Sequence, residues 1–295
     1  MEKIIESVPN FSEGRDLRKV ERIVDVFRAK NDLKLLDYSS DRDHNRMVVT
    51  VIGTPEAVAQ AIVEATGIAV KEIDLTRHQG EHPRMGAVDV IPFIPIRNMS
   101  MEEADALAQS VGKTIGETFH LPVYLYERSA TAAHRQNLAK VRQGEFEGLA
   151  AKMQLPDWQP DFGPALPHPT AGAVAIGARM PLIAFNVNLN TNDLKIANAI
   201  ARKVRHIGGG LRYCKALGMD LKEKGVVQVS MNLTDYTQTA IYQAVEMVRF
   251  EAQRYGVTIA GCELIGLTPL QAILDTASYY LGLEGLSEKQ VLVSD

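Results

Sequence analysis

The nine residues FNVNLNTND, at positions 185–193, predict a strand that ends beside an asparagine and leads into a capped helix. The same order returns in VPNFSEG at 8–14 and in SMNLTDYTQ at 230–238, each time ahead of an amphipathic run. A Ser, Thr or Asp at the junction can accept free backbone N–H groups of the first helical turn. The repetition predicts two related α+β units, each an antiparallel or mixed sheet backed by helices. The alternative is that this order is turn chemistry common to many proteins.

Apolar residues recur at the helical spacing in several segments, which predicts helices that each bury one face. The predicted core positions are Leu17, Val20, Ile23, Val24 and Phe27; Val58, Ile62, Ala65 and Ala69; Leu107, Val111 and Ile115; Leu194, Ala197, Ile200 and Val204; and Ile241, Ala244, Val245 and Val248. Strands are predicted at LKLLDY, residues 33–38, and at RMVVTVIG, residues 46–53. Pro92 and Pro95 predict that the extended run VDVIPFIPI is an edge strand or is locally unpaired.

Composition narrows the classes of function. The 295 residues carry a formal net charge of −4, so no overall basic field points to nucleic acid. No run approaches the ~18 consecutive apolar residues of a membrane span, so no membrane partner is expected. The start Met1-Glu2-Lys3 enters a strand-like run without a secretory signal, which favours the cytoplasm. The two cysteines, Cys214 and Cys262, are far apart and lack the spacing of a zinc site.

A change of composition at residues 155–172, LPDWQPDFGPALPHPTAG, suggests where the chain divides. Five prolines and two glycines exclude a regular element here. A loop this long is usually a linker or a functional segment. We therefore expect one subdomain over residues 1–176, including this loop, and a second over residues 177–295.

The densest polar cluster is RHQGEHPRMGAVD, residues 77–89. His78 and His82 stand four apart, which is a zinc spacing when both lie on one helix face. Gly80 between them and Pro83 after them disfavour that helix, so no metal is expected. A histidine can instead serve as base or acid near neutral pH. The remaining alternative is a solvated connecting loop.

Several long stretches occur together and in order: VPNFSEGR at 8–15, RHQGEHPRMGAVDVIPFIPIR at 77–97, PVYLYE at 122–127, PDFGP at 160–164 and GARMPLIAFNVNL at 177–189. With them the chain resembles the formiminotransferase family from about residue 2 to about residue 280. The resemblance implies transfer of a formimino group from N-formimino-L-glutamate to N5 of tetrahydrofolate, which releases glutamate. It also implies an α/β (α+β) fold of two related ferredoxin-like subdomains facing each other across a ligand groove, in a homodimer.

The resemblance also assigns candidate site residues. The family's catalytic histidine, in GEHPRMG, falls on His82. Its folate-contacting stretch carries over to Gly163, Pro164, Ala165, Leu166, Pro167, His168, Pro169, Thr170, Ala171 and Gly172. His168 departs from the animal enzymes, where an apolar or small residue is expected. A supporting acidic residue of the family is absent from the simplest position, Ser39, so Asp41 or Asp43 takes that role.

Both substrates carry glutamate carboxylates, for which arginine is suited because it binds them through two N–H groups. Arg46 and Arg84 are the candidates, with Arg179 a weaker one. Asn10, Asn186 and Asn188 lie near predicted strand ends and either contact the substrates or only cap helices. Tetrahydrofolate is expected as co-substrate, without a metal.

Other classes of function remain open at this point. Formyl transfer between N-formylglutamate and tetrahydrofolate would use the same scaffold. A non-catalytic ligand-binding module is a second class, which His82 in a loop rich in Gly and Arg disfavours. A metal-dependent hydrolase is a third, disfavoured by Gly80 and Pro83.

Overall fold

A computed structural model describes residues 2–28, 30–221 and 224–292. The chain divides into two compact units, Met1–Arg179 and Met180–Asp295. Residues 1 and 295, where the predicted subdomains begin and end, lie outside the described part. In that part, every helix is too short or too polar to cross a bilayer.

The first unit is built on a mixed sheet, with seven strands among its described residues. These are β1 (Ile4–Ser7), β2 (Asn10–Phe11), β3 (Leu33–Asp41), β4 (Arg46–Gly53), β5 (Val88–Arg97), β6 (Val123–Leu125) and β7 (Val174–Ala178). β1 and β2 act as one interrupted strand between β4 and β5, and both pairings are antiparallel. β3 pairs with β4, while β5, β7 and β6 run parallel on the other side.

Helices cover both faces of this sheet. α1 (Leu17–Val24), α2 (Pro55–Glu72) and α3 (Met101–Phe119) share the main apolar core with one face. α4 (Leu138–Arg142) and α5 (Glu145–Lys152) pack with Tyr124 and Ala175, which point to the opposite face because side chains alternate along a strand. The predicted stripes of α1 to α3 are confirmed with one exception: Leu17, the first residue of α1, is exposed.

Of the two alternatives that the prolines allow for β5, the edge strand is wrong, because β5 is central and pairs on both sides, whereas local unpairing occurs at Pro92. Pro92 is accommodated because it lies opposite the interruption between β1 and β2, where no ladder donor is required. The Ser7 hydroxyl donates to the Pro92 carbonyl at 2.7 Å, so that acceptor is satisfied. Pro95 faces Ile5, next to a register shift in β1.

Among its described residues, the second unit has a four-stranded antiparallel sheet. Its strands are β8 (Ile183–Leu189), β9 (Cys214–Leu221), β10 (Val226–Leu233) and β11 (Ile259–Ile265), in the order β11-β8-β10-β9. Its helices are α6 (Leu194–Val204), α7 (Ile241–Gln253) and α8 (Leu270–Leu281). The predicted inward positions of α6 and α7 lie in one apolar core with the sheet.

The two units have the same order and pairing of strands and helices, which confirms the predicted fold class. The second runs β8-α6-β9-β10-α7-β11 with its first strand beside the third and the fourth, the βαββαβ arrangement of ferredoxin-like domains. The first runs β1/β2-α1-β3-β4-α2-β5 with the same neighbours, and α3, β6, α4, α5 and β7 extend it. The asparagine motifs at 8–14 and 185–193 occupy the same place, the junction of first strand and first helix.

Candidate active site

The loop with both histidines connects α2 to β5 and contains no helix across His78 and His82. Its conformation depends on the turn between β3 and β4, and mainly on Asn45. The side chain of Asn45 accepts from the Gly14 backbone N–H at 2.9 Å and donates to the Gln79 carbonyl at 3.0 Å. Its own carbonyl lies 2.9 Å from the His78 Nε2. Asn45 is buried with a φ of 48°, which asparagine tolerates better than most residues.

Gly80 allows this loop to meet the turn. A Cβ at position 80 would lie 2.3 Å from the His44 carbonyl oxygen, which is a backbone atom that cannot swing aside. The N–H of Glu81 donates to the Asp43 carbonyl at 3.1 Å in the same contact. The β3–β4 turn therefore fixes the backbone of residues 79–81, immediately before His82.

Arg84 holds the other side of the loop. Its guanidinium donates to Glu147 at 2.7 and 2.8 Å and to Glu145 at 3.0 Å, and its Nε donates to His78 Nδ1 at 3.2 Å. Both carboxylates belong to α5. Because these partners occupy the buried guanidinium, the geometry indicates that Arg84 fastens the loop to α5. A substrate carboxylate at Arg84, as predicted, would have to compete with Glu145 and Glu147 for this guanidinium.

His82 lies half-buried among positive charges. Burial is the largest cause that lowers its pKa, and Arg46, Arg142 and His44 lower it further, to about 3. A hydrogen bond to the backbone of Pro83 raises the pKa of His82, but this effect is smaller than the others. At neutral pH the ring is therefore uncharged, with a free lone pair that can accept a proton.

The two arginines that act on His82 differ in their partners. Arg142, at the end of α4, forms an ion pair with Asp89, whose other oxygen accepts from the Met85 N–H at 2.9 Å. The Nε of Arg142 is buried and has no hydrogen-bond partner among the described residues. Arg46 forms no ion pair within the described chain, and burial and Arg142 lower its pKa. The two guanidinium groups thus have one ion-paired carboxylate, Asp89, while Asp41 acts on Arg46 without an ion pair, which leaves donors for an anion beside His82.

The carboxylate of Asp41 contacts His44, whose ring lies next to that of His82. Asp41 Oδ1 is 3.1 Å from His44 Nδ1 and accepts the backbone N–H groups of Asp43 and His44 at 2.9 and 2.8 Å. The His44 and His82 ring centroids are 6.5 Å apart, edge to face. Asp41 therefore reaches His82 only indirectly, through the ring of His44. Asp43 instead contacts the His82 loop with its backbone carbonyl, which accepts from the Glu81 N–H.

Residues 163–172, the predicted folate loop, meet the His82 loop through their backbone. The Ala87 N–H donates to the Ala171 carbonyl at 2.9 Å, and the Ala173 N–H donates to the Met85 carbonyl at 3.1 Å. Gly172, with a φ of 67°, comes so close to Met85 that a Cβ would lie 2.2 Å from its carbonyl oxygen. The first unit thus brings the two predicted loops together.

The asparagines serve different purposes. Asn10 is buried and donates to the Val8 carbonyl at 2.8 Å, across the break between β1 and β2. It does not cap α1, which Asp16 caps. In the second unit Asn188 accepts from Gln228 at 2.8 Å and approaches Glu263 at 3.4 Å. Asn186 pairs with Ser230 and Glu263 in the neighbouring strands.

Sequence reasoning missed Asn45 and Arg142. Asn45 had a signal, since asparagine in a polar turn often adopts a positive φ. Arg142 had none, because it is fifty-three residues from Asp89 in sequence and sits in an ordinary helical pattern. Within the described residues no group of three or more His, Cys, Asp or Glu side chains is arranged to hold a metal.

The fold and the site define a class: an α/β protein of two ferredoxin-like subdomains whose first subdomain carries a neutral histidine beside arginines. Two family profiles match this chain. The profile described as "Formiminotransferase domain, N-terminal subdomain" matches residues 4–179, and the one described as "Formiminotransferase domain" matches residues 184–292. The chain belongs to the formiminotransferase domain family.

Similar proteins cover nearly the whole chain. A protein named glutamate formimidoyltransferase from Streptococcus pyogenes is 46% identical over 99% of this chain and 98% of its own length. A protein of the same name from Thermoplasma acidophilum is 45% identical over 98% and 96%. The formimidoyltransferase-cyclodeaminase of Mus musculus is 41% identical over 97% of this chain, which spans 54% of that longer protein.

Proposed function

We propose that this chain moves the formimino group of N-formimino-L-glutamate to N5 of tetrahydrofolate, which gives 5-formiminotetrahydrofolate and L-glutamate. The observation that carries the proposal is the identity of 45–46%, over almost the full length, with proteins named glutamate formimidoyltransferase. The neutral His82 in a positively charged surrounding supports it from the chemical side.

His82 carries the proton in this proposal. The N5 amine attacks the formimino carbon, a C–N bond forms, and His82 accepts the N5 proton. The tetrahedral intermediate then collapses, the bond to the glutamate nitrogen breaks, and His82 returns the proton to that nitrogen. One group serves as base and then acid, a contribution that is typically about 10²- to 10⁴-fold.

Arg46 and Arg142 bind a carboxylate of the glutamate donor. Arg46 has no ion-pair partner in the described chain, and the Nε of Arg142 lacks an acceptor. A bound carboxylate gives Arg46 an ion-pair partner and gives the Nε of Arg142 an acceptor. Its negative charge also offsets part of the positive potential at His82. The pKa of His82 then rises toward the range in which a base is effective at neutral pH. The donor thus helps to activate the base that acts on its co-substrate.

Tetrahydrofolate is the co-substrate, held by residues 163–172 next to the His82 loop. Holding two reactants in place can lower the barrier by up to about 7–11 kcal/mol. Asp41, acting through His44, orients His82, and Asn10 and Asn188 provide polar contacts. No resident metal takes part. The homodimer, the ligand groove and the cytoplasmic location belong to the same proposal.

A direct transfer assay tests the function. The purified chain is incubated with tetrahydrofolate and either formiminoglutamate or formylglutamate, and the absorbance of the folate product is followed. Turnover with formiminoglutamate at a kcat/KM well above that for formylglutamate is the expected result. Preference for formylglutamate would mean that the donor is formylglutamate and that the formyl group is transferred. No turnover with either donor would refute transfer altogether.

A further inference from the structure

His168 caps its own turn inside the predicted folate loop. Its Nδ1 accepts from the Ala171 backbone N–H at 3.0 Å and lies 3.4 Å from the Thr170 N–H. The backbone of His168 and Gly172 closes the same turn with two bonds, His168 N–H to the Gly172 carbonyl at 2.9 Å and Gly172 N–H to the His168 carbonyl at 3.0 Å. A histidine ring thus satisfies amides that the turn leaves free.

The far side of this turn is the part of the loop that meets the His82 loop. The Thr170 carbonyl accepts from the Leu75 N–H at 2.8 Å, and the Ala171 carbonyl accepts from the Ala87 N–H at 2.9 Å. Leu75 and Ala87 lie before and after His82 in the same connection. A change in the turn at 168–172 therefore shifts the predicted folate loop against the backbone that carries His82.

We infer that His168 is a positioning residue for tetrahydrofolate: by capping the turn at 168–172 it sets the folate loop in register with the His82 loop. This inference rests on the proposed function for its substrate. His168 is half-buried, and its Nδ1 is the atom that accepts the hydrogen bond of the turn.

An asparagine can supply the same acceptor. Elsewhere in this chain, Asp41 accepts the backbone N–H groups two and three residues ahead, from Asp43 at 2.9 Å and from His44 at 2.8 Å, the same spacings at which His168 meets Thr170 and Ala171. This is the geometry that favours Asn and Asp in turns. His168→Asn therefore keeps the cap without the imidazole, whereas His168→Ala removes both.

The experiment compares wild type, His168→Ala and His168→Asn, with His206→Ala as a control at an exposed histidine of the second unit. Amide exchange of residues 168–173 is measured on the ligand-free protein, and KM for each substrate and kcat are measured by the transfer assay. We expect His168→Ala to speed exchange at Ala171 and to raise KM for tetrahydrofolate by about 2- to 12-fold, since one net hydrogen bond of this kind contributes ~0.5–1.5 kcal/mol. KM for formiminoglutamate should stay within about twofold, and His168→Asn should restore exchange and KM.

Two results would overturn the inference. The first is wild-type exchange and wild-type KM in His168→Ala. The second is protected amides but an unrestored KM in His168→Asn, which would assign the effect to the imidazole as a ligand contact. Because exchange is read without folate, failure of the turn is distinguished from failure of the proposed transferase activity, which would show as no turnover in the wild type.

Discussion

The key residue is a histidine whose surroundings favour its neutral form. Burial and the charges of Arg46, Arg142 and His44 lower the pKa of His82 to about 3. Such a base is weak until the field is neutralised, so the free site is complementary to an anionic ligand. The sequence identified His82 through its family motif, but not its electrostatics, because Arg142 reaches the site only through the packing of α4.

Replacing Arg46 should separate binding from proton transfer. Arg46→Met keeps the length of the side chain and removes one charge that acts on His82, so the His82 pKa should rise toward its ordinary value near 6.5. A histidine NMR titration should show the same upward shift in wild type when L-glutamate is added. KM for formiminoglutamate should rise by about 10- to 100-fold in Arg46→Met, as expected for loss of a charged contact. An unchanged His82 titration and an unchanged KM would remove Arg46 from the site.

At the scale of elements, the active loop is held from two sides. The β3–β4 turn fixes residues 79–81, and α5 holds Arg84 through Glu145 and Glu147. The sequence predicted that the loop is not helical, since Gly80 and Pro83 disfavour a helix. It did not predict the clamps, because residue spacing carries no information on which turn meets which loop. For the same reason Arg84 was expected to bind substrate, although its donors are directed to α5.

The close approach at Gly80 predicts a strong effect of a single methyl group. Gly80→Ala places a Cβ against the His44 carbonyl and must displace His82. We expect kcat/KM to fall by about 10- to 100-fold, since small displacements of reacting groups have effects of this size. Gly148→Ala is the matched control, because a Cβ there meets no atom within 4 Å in α5 and should stabilise the helix slightly. Equal activity of the two variants would contradict the contact.

Arg84 should prove structural in a stability measurement. Arg84→Met leaves Glu145, Glu147 and His78 without their shared partner. We expect the free energy of unfolding to fall by about 1–3 kcal/mol, with allowance for the exposure of both carboxylates. KM for formiminoglutamate should change less than in Arg46→Met. A stable variant with a greatly raised KM would return Arg84 to the substrate site.

At the scale of the whole molecule, the sequence predicted two related subdomains from the recurring order of strand, asparagine and helix. That order marks the junction of first strand and first helix at 8–14 and 185–193, whereas its third occurrence, at 230–238, runs from β10 toward α7. Periodicity predicted most of the inward faces, since apolar spacing reflects burial directly. Of the two alternatives for β5, the edge strand is wrong and the local unpairing occurs at Pro92, but the proline rule could not choose between them because it carries no information on the neighbouring strand. The sequence also did not predict that β6 and β7 extend the first sheet, because parallel pairing joins residues far apart in sequence.

The proposed transfer by His82 involves no metal ion. Activity should therefore survive dialysis against a strong chelator, with metal content measured on the same sample. Both ring nitrogens of His78 already have partners, because Nε2 contacts the Asn45 carbonyl and Nδ1 accepts from the Arg84 Nε. A stoichiometric zinc or iron whose removal abolishes turnover would favour the hydrolase alternative.

The central claim is that His82 carries the proton between N5 and the departing nitrogen, and the most direct test is kcat of His82→Ala. The account predicts a fall of about 10²- to 10⁴-fold with little change in KM for tetrahydrofolate. His78→Ala, in the same loop, should lose far less kcat even if its stability falls, because the contacts of His78 are with the Asn45 carbonyl and the Arg84 side chain, and it has no part in the proposed proton transfer. A near-normal kcat in His82→Ala, or an equal loss in His78→Ala, would contradict the role assigned to His82.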